Sequence, residues 1–361
     1  MKTNKLLIFG SPGRYIQGPG AVKYLGYYVA QLSQKKRAWV LIDVGVDFLT
    51  RDIETSLREG EIYFSVSKFE GDNRLSQADK LSQEIKKKNH PDVMVGVGGG
   101  KAIDMSKMIA HRIGAKNVIV PTIAATDAPT SCVAVAVDEN GKVAVEDHLF
   151  NPDLILVDSE IIARAPVRYF VSGIGDAISR KYEVLHSASV GETNYFGGQR
   201  AFFISDLLEV CHRTLLKYGT EAKKSLERKE TNDTVEKVIT SIILLSGLLF
   251  ENGGLAAAHS IANVLFNQGY GKKNLHGELV AVGILLQIIL EKLPAVELNR
   301  LDRFFLELGL PRNLTDLGVA VDDQQKVASI CEGISARVEK HGFRWSSGQI
   351  LQAIQILDDK K

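Results

Sequence analysis

The sequence predicts an α/β N-terminal domain over residues 1–165, a parallel sheet covered by helices with an added hairpin, and an all-α helical domain over 166–361. Three observations carry this. Short apolar runs alternate with helical patterns through residue 122, the rhythm of β-α-β units. The run VAVAVDENGKVAVE, 133–146, breaks that rhythm with two alternating segments about Asn140-Gly141, a hairpin signal placed on the sheet edge or projecting from it. After Pro166 no strand pattern recurs, and Gly219, Gly269, Gly271, Pro294 and Pro311 fall in the gaps between long helical patterns.

Taken in order, residues 5–9 read as a strand and 14–17 as a second, bounded by glycines. A helix follows from about 21, with Val22, Leu25, Val29 and Leu32 at helical spacing. AWVLID, 38–43, and IYFSVS, 62–67, are buried strands, and 75–88 is a helix with solvated lysines. VMV, 93–95, begins a buried strand that runs into glycines; NVIVPT, 117–122, and DLILVD, 153–158, are two more. Helical patterns then cover 167–187, 199–217, 231–250, 254–267, 276–292, 296–308, 322–340 and 346–357.

Composition narrows the function classes. The chain has 361 residues, enough for two domains. Its 44 Lys and Arg nearly balance 43 Asp and Glu, which argues against a nucleic-acid or membrane-surface partner. Cys132, Cys211 and Cys331 are too scattered for a disulfide framework or a cysteine metal site and fit a reducing compartment. The start, MKTNKLLIFG, has too short an apolar run for a signal peptide, and ITSIILLSGLLF, 239–250, is too short to span a bilayer. These readings place the protein in the cytoplasm.

The stretch with the strongest chemical content is VMVGVGGGKAIDMSK, 93–107. A buried strand, a cluster of glycines at Gly98, Gly99 and Gly100, and a helix start together make a seat for a phosphate. Glycine lets the backbone approach a ligand, and the helix N-terminus presents free N–H groups and a positive dipole end. The two commonest phosphate motifs do not fit: Val95 and Ala102 stand where one needs Gly and Ser or Thr, and Lys101 stands where the other needs Gly. A tight turn without a ligand would not need three glycines, each costing roughly 1 kcal/mol.

Three polar residues of the helical half stand in apolar or small surroundings: Asp176 in SGIGDAISRKYE, His259 in GGLAAAHSIANVLF and His276 in NLHGELVAVGILLQ. Taken singly, each has an ordinary explanation as a cap or a satisfied core group. Together they are one carboxylate and two imidazoles from three helices, a divalent-metal set suited to zinc or iron(II) with a position left open. The loop PTIAATDAPTS, 121–131, follows a strand, and its Thr122, Thr126, Asp127 and Ser131 could line a cofactor or a polyol, or simply cap a connection. Asp43 ends its strand where it could bond ribose hydroxyls and would repel a 2′-phosphate.

Over nearly the whole chain, SPGRYIQGPGAV, GVGGGKAIDMSK, PTIAATDAPTS, GIGDAISRKYE, ENGGLAAAHSIANVLF and LHGELVAVGILLQ resemble, in order, segments of the glycerol dehydrogenase family, within the iron-containing alcohol dehydrogenase and dehydroquinate synthase superfamily. The resemblance implies a Rossmann-like nucleotide domain, a helical metal domain, and NAD-dependent oxidation of a secondary alcohol in a small vicinal diol such as glycerol. It implies Zn²⁺ or Fe²⁺ on Asp176, His259 and His276, and a homo-oligomer, often of eight. It assigns NAD contacts to Asp43, Gly98, Gly99, Gly100, Lys101, Asp104, Thr122, Ala125, Ser131 and Val133, and a substrate hydroxyl to Asp127. Ala125 stands where a serine is common, Val137 where a tyrosine is common, and Leu275 where an aromatic is common. Those departures bear on the substrate. A 2-hydroxy or 2-keto acid oxidoreductase is the first alternative. A dehydroquinate-synthase-like lyase is disfavoured by the apolar segments flanking the ligands, and a non-catalytic nucleotide-binding protein by the complete ligand set.

Overall fold

The computed structural model describes residues 5–88, 90–138, 143–146 and 149–359. Its strands are β1 (Tyr15–Gly18), β2 (Arg37–Asp43), β3 (Tyr63–Phe69), β4 (Val93–Gly98), β5 (Lys116–Pro121), β6 (Ala134–Val137), β7 (Val143–Glu146) and β8 (Leu154–Asp158). The first helices are α1 (Leu25–Leu32), α2 (Thr50–Glu59), α3 (Leu75–Lys88), α4 (Gly100–Ile113) and α5 (Ser159–Arg164). Then come α6 (Val167–Ser189), α7 (Ile204–Glu227), α8 (Asp233–Thr240), α9 (Ser246–Gly253), α10 (Ala257–Asn267), α11 (His276–Leu290), α12 (Ala295–Leu308), α13 (Gln324–Val338) and α14 (Ser347–Asp358).

Six strands form one parallel sheet in the order β1-β8-β5-β4-β2-β3. Both faces are covered, so β4 and β8 are buried along their whole length and read as continuous apolar runs rather than alternating ones. In β2, Val40 and Ile42 join the core under α1 and α2, while Trp39 and Leu41 join the core with Met105 and Met108 of α4. The chain leaves β2 toward β3 on one side and leaves β4 toward β5 on the other. β2 and β4 are neighbours, so their carboxyl ends form a topological switch point, the place where sheets of this class take ligands.

Contacts divide the chain into two compact units. One comprises Gly10–Pro166 together with Ser225–Gly247; the other comprises the described residues through Phe9, Val167–Lys224 and those from Leu248 onward. The units are therefore not two continuous stretches cut at 165–166. Residues 5–9 do not enter the sheet as the sequence suggests. Leu7 bridges Gln199, the Gln199 N–H donates to the Leu6 carbonyl at 2.7 Å, and the segment belongs to the helical unit. Conversely α8 belongs to the sheet unit: Gln17 of β1 donates to the Glu236 carbonyl at 2.8 Å and accepts from the Thr240 hydroxyl at 2.9 Å, which covers that end of the sheet.

Other elements depart from the sequence reading. Helix α2 and the short α5 carry no expectation from the apolar pattern; in TRDIETSLRE only Ile53, Ser56 and Leu57 are buried. The expected single helix over 231–250 is α8, a wide π turn over Ser241–Leu245, and α9. The hairpin strands pair antiparallel as Val135 opposite Val145, and the turn expected at Asn140-Gly141 lies outside the described residues. β6 does not extend the sheet edge; it lies over α4, where Ala134 and Ala136 are buried. Cys132, Cys211 and Cys331 are buried and form no disulfide. Among the described residues no single helix is long and apolar enough to cross a membrane.

In the helical unit, glycines set how closely the helices meet. A Cβ on Gly277 of α11 would lie 1.8 Å from the Ser172 carbonyl oxygen of α6, and one on Gly283 would lie 2.5 Å from that of Ala258 in α10. Alanine is otherwise the better helix former by about 1 kcal/mol. Gly277→Ala should nevertheless destabilise the protein, by about 1–3 kcal/mol in urea unfolding, because backbone must move to make room. A stabilised variant would contradict the close α6–α11 approach.

Candidate active site

The close contacts of α6, α10 and α11 bring Asp176, His259 and His276 together. One potential ligand atom from each lies within 4.8 Å of the other two. The His259 Nε2 is 3.0 Å and the His276 Nε2 4.0 Å from Asp176 Oδ1. Asp176 and His259 are buried, whereas the His276 side chain is 39% exposed, so the cluster opens on its His276 side. The donor set is one carboxylate and two imidazoles without thiolate, which suits zinc or iron(II), and three protein ligands leave a position for a substrate oxygen. The residues present fit a divalent cation.

Each ligand is placed by its helix. Asp176 sits mid-way along α6, with Gly175 below it admitting the Gly277 carbonyl at a distance no Cβ could share. His259 is in the first turn of α10. His276 opens α11, whose start is fixed by Glu278: that carboxylate accepts the Leu275 N–H at 2.7 Å and is held by both arms of Arg168 at 2.6 and 2.7 Å.

Two charged groups beside the cluster escaped the sequence reading. The Arg180 guanidinium is 3.2 Å from Asp176 Oδ1, and Glu183 accepts from His259 Nδ1 at 2.6 Å. Both are buried on α6. The signal was present as D-x3-R-x2-E: positions four and seven residues on from Asp176 share its helix face. Burial alone would raise the Asp176 carboxyl, but Arg180, the bond from His259 and the His276 charge outweigh it and hold it far below the usual carboxylate range. Burial also works against charge on Glu183, yet His259 and Arg180 lower it to about 2. On His259, burial and Arg180 oppose the proton, but Glu183 and Asp176 raise it to about 9.

The second group of predicted residues gathers at the carboxyl ends of β2, β4 and β5. Gly98 has φ +151°, and a Cβ there would lie 2.8 Å from Cβ of both Ala102 and Asp43. The Gly98 carbonyl accepts the Thr122 N–H at 3.0 Å. Gly99 is the N-cap of α4, and Gly100 faces open space. Asp43 is therefore beside the glycine turn at the switch point; its Oδ1 accepts the Gly45 N–H at 2.8 Å. Lys101 is exposed and pairs with Asp72 at 2.7 Å. Ala125 is half-buried.

Three residues expected to contact the cofactor are buried, and each bonds to other groups of the protein. Asp104 is buried on the face of α4 toward the hairpin, where its Oδ2 accepts the Val135 N–H at 3.2 Å; burial pushes this carboxyl up to about 6 despite Lys107 at 3.6 Å. Ser131 and Val133 are held by Lys107, which donates to the Val133 carbonyl at 2.8 Å, to the Ser131 hydroxyl at 3.3 Å and to the Ala128 carbonyl. The side chain of Asp104 thus holds β6 against α4, and Lys107 holds the loop before it. Asp127, in that loop, is buried and accepts from the Ser246 hydroxyl at 2.9 Å, while the Thr130 hydroxyl donates to the Ile243 carbonyl at 2.6 Å in the π turn.

The chain is similar to several known proteins. A family model described as iron-containing alcohol dehydrogenase matches residues 12–159. The chain is 39% identical over 331 residues to a glycerol dehydrogenase of Thermotoga maritima, covering 88% of this chain and 87% of that one. It is 32% identical to a glycolaldehyde reductase of Halobacterium salinarum, covering 92% and 91%. The crystal structure of glycerol dehydrogenase from Schizosaccharomyces pombe superposes with a TM-score of 0.92 at 33% identity, over 99% of this chain and 92% of that one.

The ring nitrogens of His259 both face carboxylate oxygens, and a carboxylate only accepts, so in chelated protein both nitrogens carry protons. A cation needs the Nε2 lone pair. Zn²⁺ binding should therefore release about one proton per site at pH 7, falling toward none above pH 9, where His259 is already neutral. Calorimetric titration at pH 7 in buffers of different ionisation enthalpy reads that proton directly; a heat independent of buffer would contradict the assigned ligand.

Proposed function

The chain belongs to the iron-containing alcohol dehydrogenase family, as a glycerol-dehydrogenase-like member, and is an oxidoreductase of small polar alcohols and ketones; within that class we propose the NAD-dependent interconversion of a secondary alcohol of a small vicinal diol, such as glycerol, and its ketone. The observation that carries this reading is the Asp176–His259–His276 cluster. A divalent cation, Zn²⁺ or Fe²⁺, supplies Lewis acidity toward a hydroxyl oxygen, and a nicotinamide dinucleotide supplies the hydride acceptor.

The residues then take separate roles. Asp176, His259 and His276 hold the cation through one oxygen and two nitrogens, and the exposed His276 side admits substrate. The Gly98–Gly100 turn offers backbone N–H groups at the start of α4 to a pyrophosphate, where a side chain at 98 would clash. Asp43 bonds the adenine ribose, and its charge disfavours a 2′-phosphate. Thr122 and Ala125 line the rest of the dinucleotide groove. Lys101, on its exposed pair with Asp72, can swing to the pyrophosphate at small cost, because such surface pairs contribute little. Asp127 takes a second substrate hydroxyl and so favours diols. Lys107 holds the loop that carries Asp127, and Asp104 holds the hairpin strand that follows it. We further propose a homo-oligomer acting in the cytoplasm, where NAD and reduced cysteines are found.

After chelation, NADH formation with glycerol, 1,2-propanediol or 2,3-butanediol should be lost and should return on adding Zn²⁺ or Fe²⁺. His259→Ala should lower kcat by at least about 10³-fold, the scale of removing an electrostatic catalyst, while NADH affinity measured by fluorescence stays within about twofold. Bound NAD without turnover of any diol would redirect the reading to 2-hydroxy or 2-keto acids. Asp43→Ser should narrow the preference for NAD over NADP; an unchanged ratio would remove Asp43 from the ribose site.

A further inference from the structure

Glu183 has no role in the chemistry described so far, yet it is the most heavily engaged carboxylate near the ligand cluster. It is fully buried. Its Oε1 accepts the backbone N–H groups of Ala256 and His259, each at 3.0 Å. Its Oε2 accepts from His259 Nδ1 at 2.6 Å and from the Ser179 hydroxyl at 3.3 Å. Arg180 lies 3.7 Å from the same oxygen. Three of these four hydrogen bonds end on His259 or on the residue that caps its helix. Burying a carboxylate is costly unless it is fully hydrogen-bonded, so so many partners on one residue mark a constraint on that residue.

We propose that Glu183 is the positioning residue of the metal centre: it fixes His259 as the Nδ1–H tautomer, with Nε2 left for the cation. The inference rests on the metal reading above. An imidazole serves as a ligand only when three things are set: where its backbone stands, how its ring turns, and which nitrogen carries the proton. Glu183 acts on all three. Oε1 anchors the backbone by taking two N–H groups at the start of α10, where helices lack internal acceptors. Oε2 fixes the ring angle through one short bond. Because a carboxylate can only accept, Nδ1 keeps its proton on Glu183 when a cation displaces the proton that Nε2 shares with Asp176, which makes Nε2 the ligand. Nε2 is the atom that points at Asp176 Oδ1. Asp176 and Glu183 lie two turns apart on one face of α6, so a single helix supplies both a ligand and the group that orients another.

Glu183→Gln separates this role from packing, since the shape is kept. A glutamine has one acceptor oxygen and one NH₂. If its oxygen takes the two backbone N–H groups, its NH₂ faces Nδ1, which must become an acceptor, and the proton moves to Nε2. We expect Zn²⁺ affinity, measured by chelator competition on the whole protein, to fall about 10–100-fold. Nitrogen-15 spectra of histidine-labelled chelated variant should show His259 protonated at Nε2 alone above its pKa. Glu183→Asp, which keeps an acceptor-only group at shorter reach, should fall between wild type and Glu183→Gln. A folded Glu183→Gln that binds Zn²⁺ as wild type does would overturn the proposal. Should that variant not fold, Zn²⁺-loaded wild type decides: a His259 Nδ1–H in slow exchange supports the role, and its absence refutes it. Failure of the metal reading looks different, because then wild type and His259→Ala would bind Zn²⁺ equally.

Discussion

The helical unit depends on a line of alternating charge buried in its core, Glu183 to His259 to Asp176, with Arg180 beside both carboxylates. None of these groups could be buried alone. The desolvation of an isolated carboxylate amounts to several kcal/mol, and only a partner of opposite charge and a full set of hydrogen bonds offsets it. That requirement dictates the packing around it. The helices must come close enough for the side chains to meet, and so Gly175, Gly277 and Gly283 stand where a Cβ would press on backbone. The arrangement is expensive for stability, and a purely apolar core would serve a structural helix bundle better. Its retention makes sense for a centre that must hold a cation in one geometry.

The sheet unit solves a different problem with backbone in place of side chains. At the switch point between β2 and β4, the glycine turn leaves room for a ligand, and Asp43 stands at its edge. Several polar side chains nearby bond within the protein. Lys107 is the clearest case. It is buried, and it gathers the carbonyls of Ala128 and Val133 and the hydroxyl of Ser131, so the loop bearing Asp127 is tied to the same helix that begins at Gly100. The same loop is tied to the π turn through Thr130 and Ile243, and to the first residue of α9 through Asp127 and Ser246. A wide turn of this kind shifts carbonyls and side chains relative to a regular helix, and such turns are frequent at functional sites.

Asp104 and Asp176 show how the same residue type diverges with its setting. Both are buried on helices near a site. Asp176 faces a guanidinium and two imidazoles and is held strongly acidic. Asp104 has one backbone N–H and a more distant lysine, so burial dominates and its acidity is weakened. The first is poised to bind a cation; the second holds a hairpin strand.

By itself the sequence determined the two architectures, the strand–glycine–helix turn, and the identity of Asp176, His259 and His276 as the candidate ligands, because periodicity and residue type are local properties that survive without coordinates. It misplaced residues 5–9, whose apolar run suits a strand but whose partner at Gln199 lies far along the chain. It passed over α2, where few apolar positions mark a helix held by one face. It did not show that Asp104, Ser131 and Val133 are buried and bonded within the protein, since spacing alone does not tell what a residue packs against. Only the tertiary structure decided that α8 closes the sheet, that Arg180 and Glu183 flank the ligands, and that three distant helices bring one carboxylate and two imidazoles within bonding reach. Such convergence is set by long-range packing, here by glycines a hundred residues apart in sequence, and no local pattern records it.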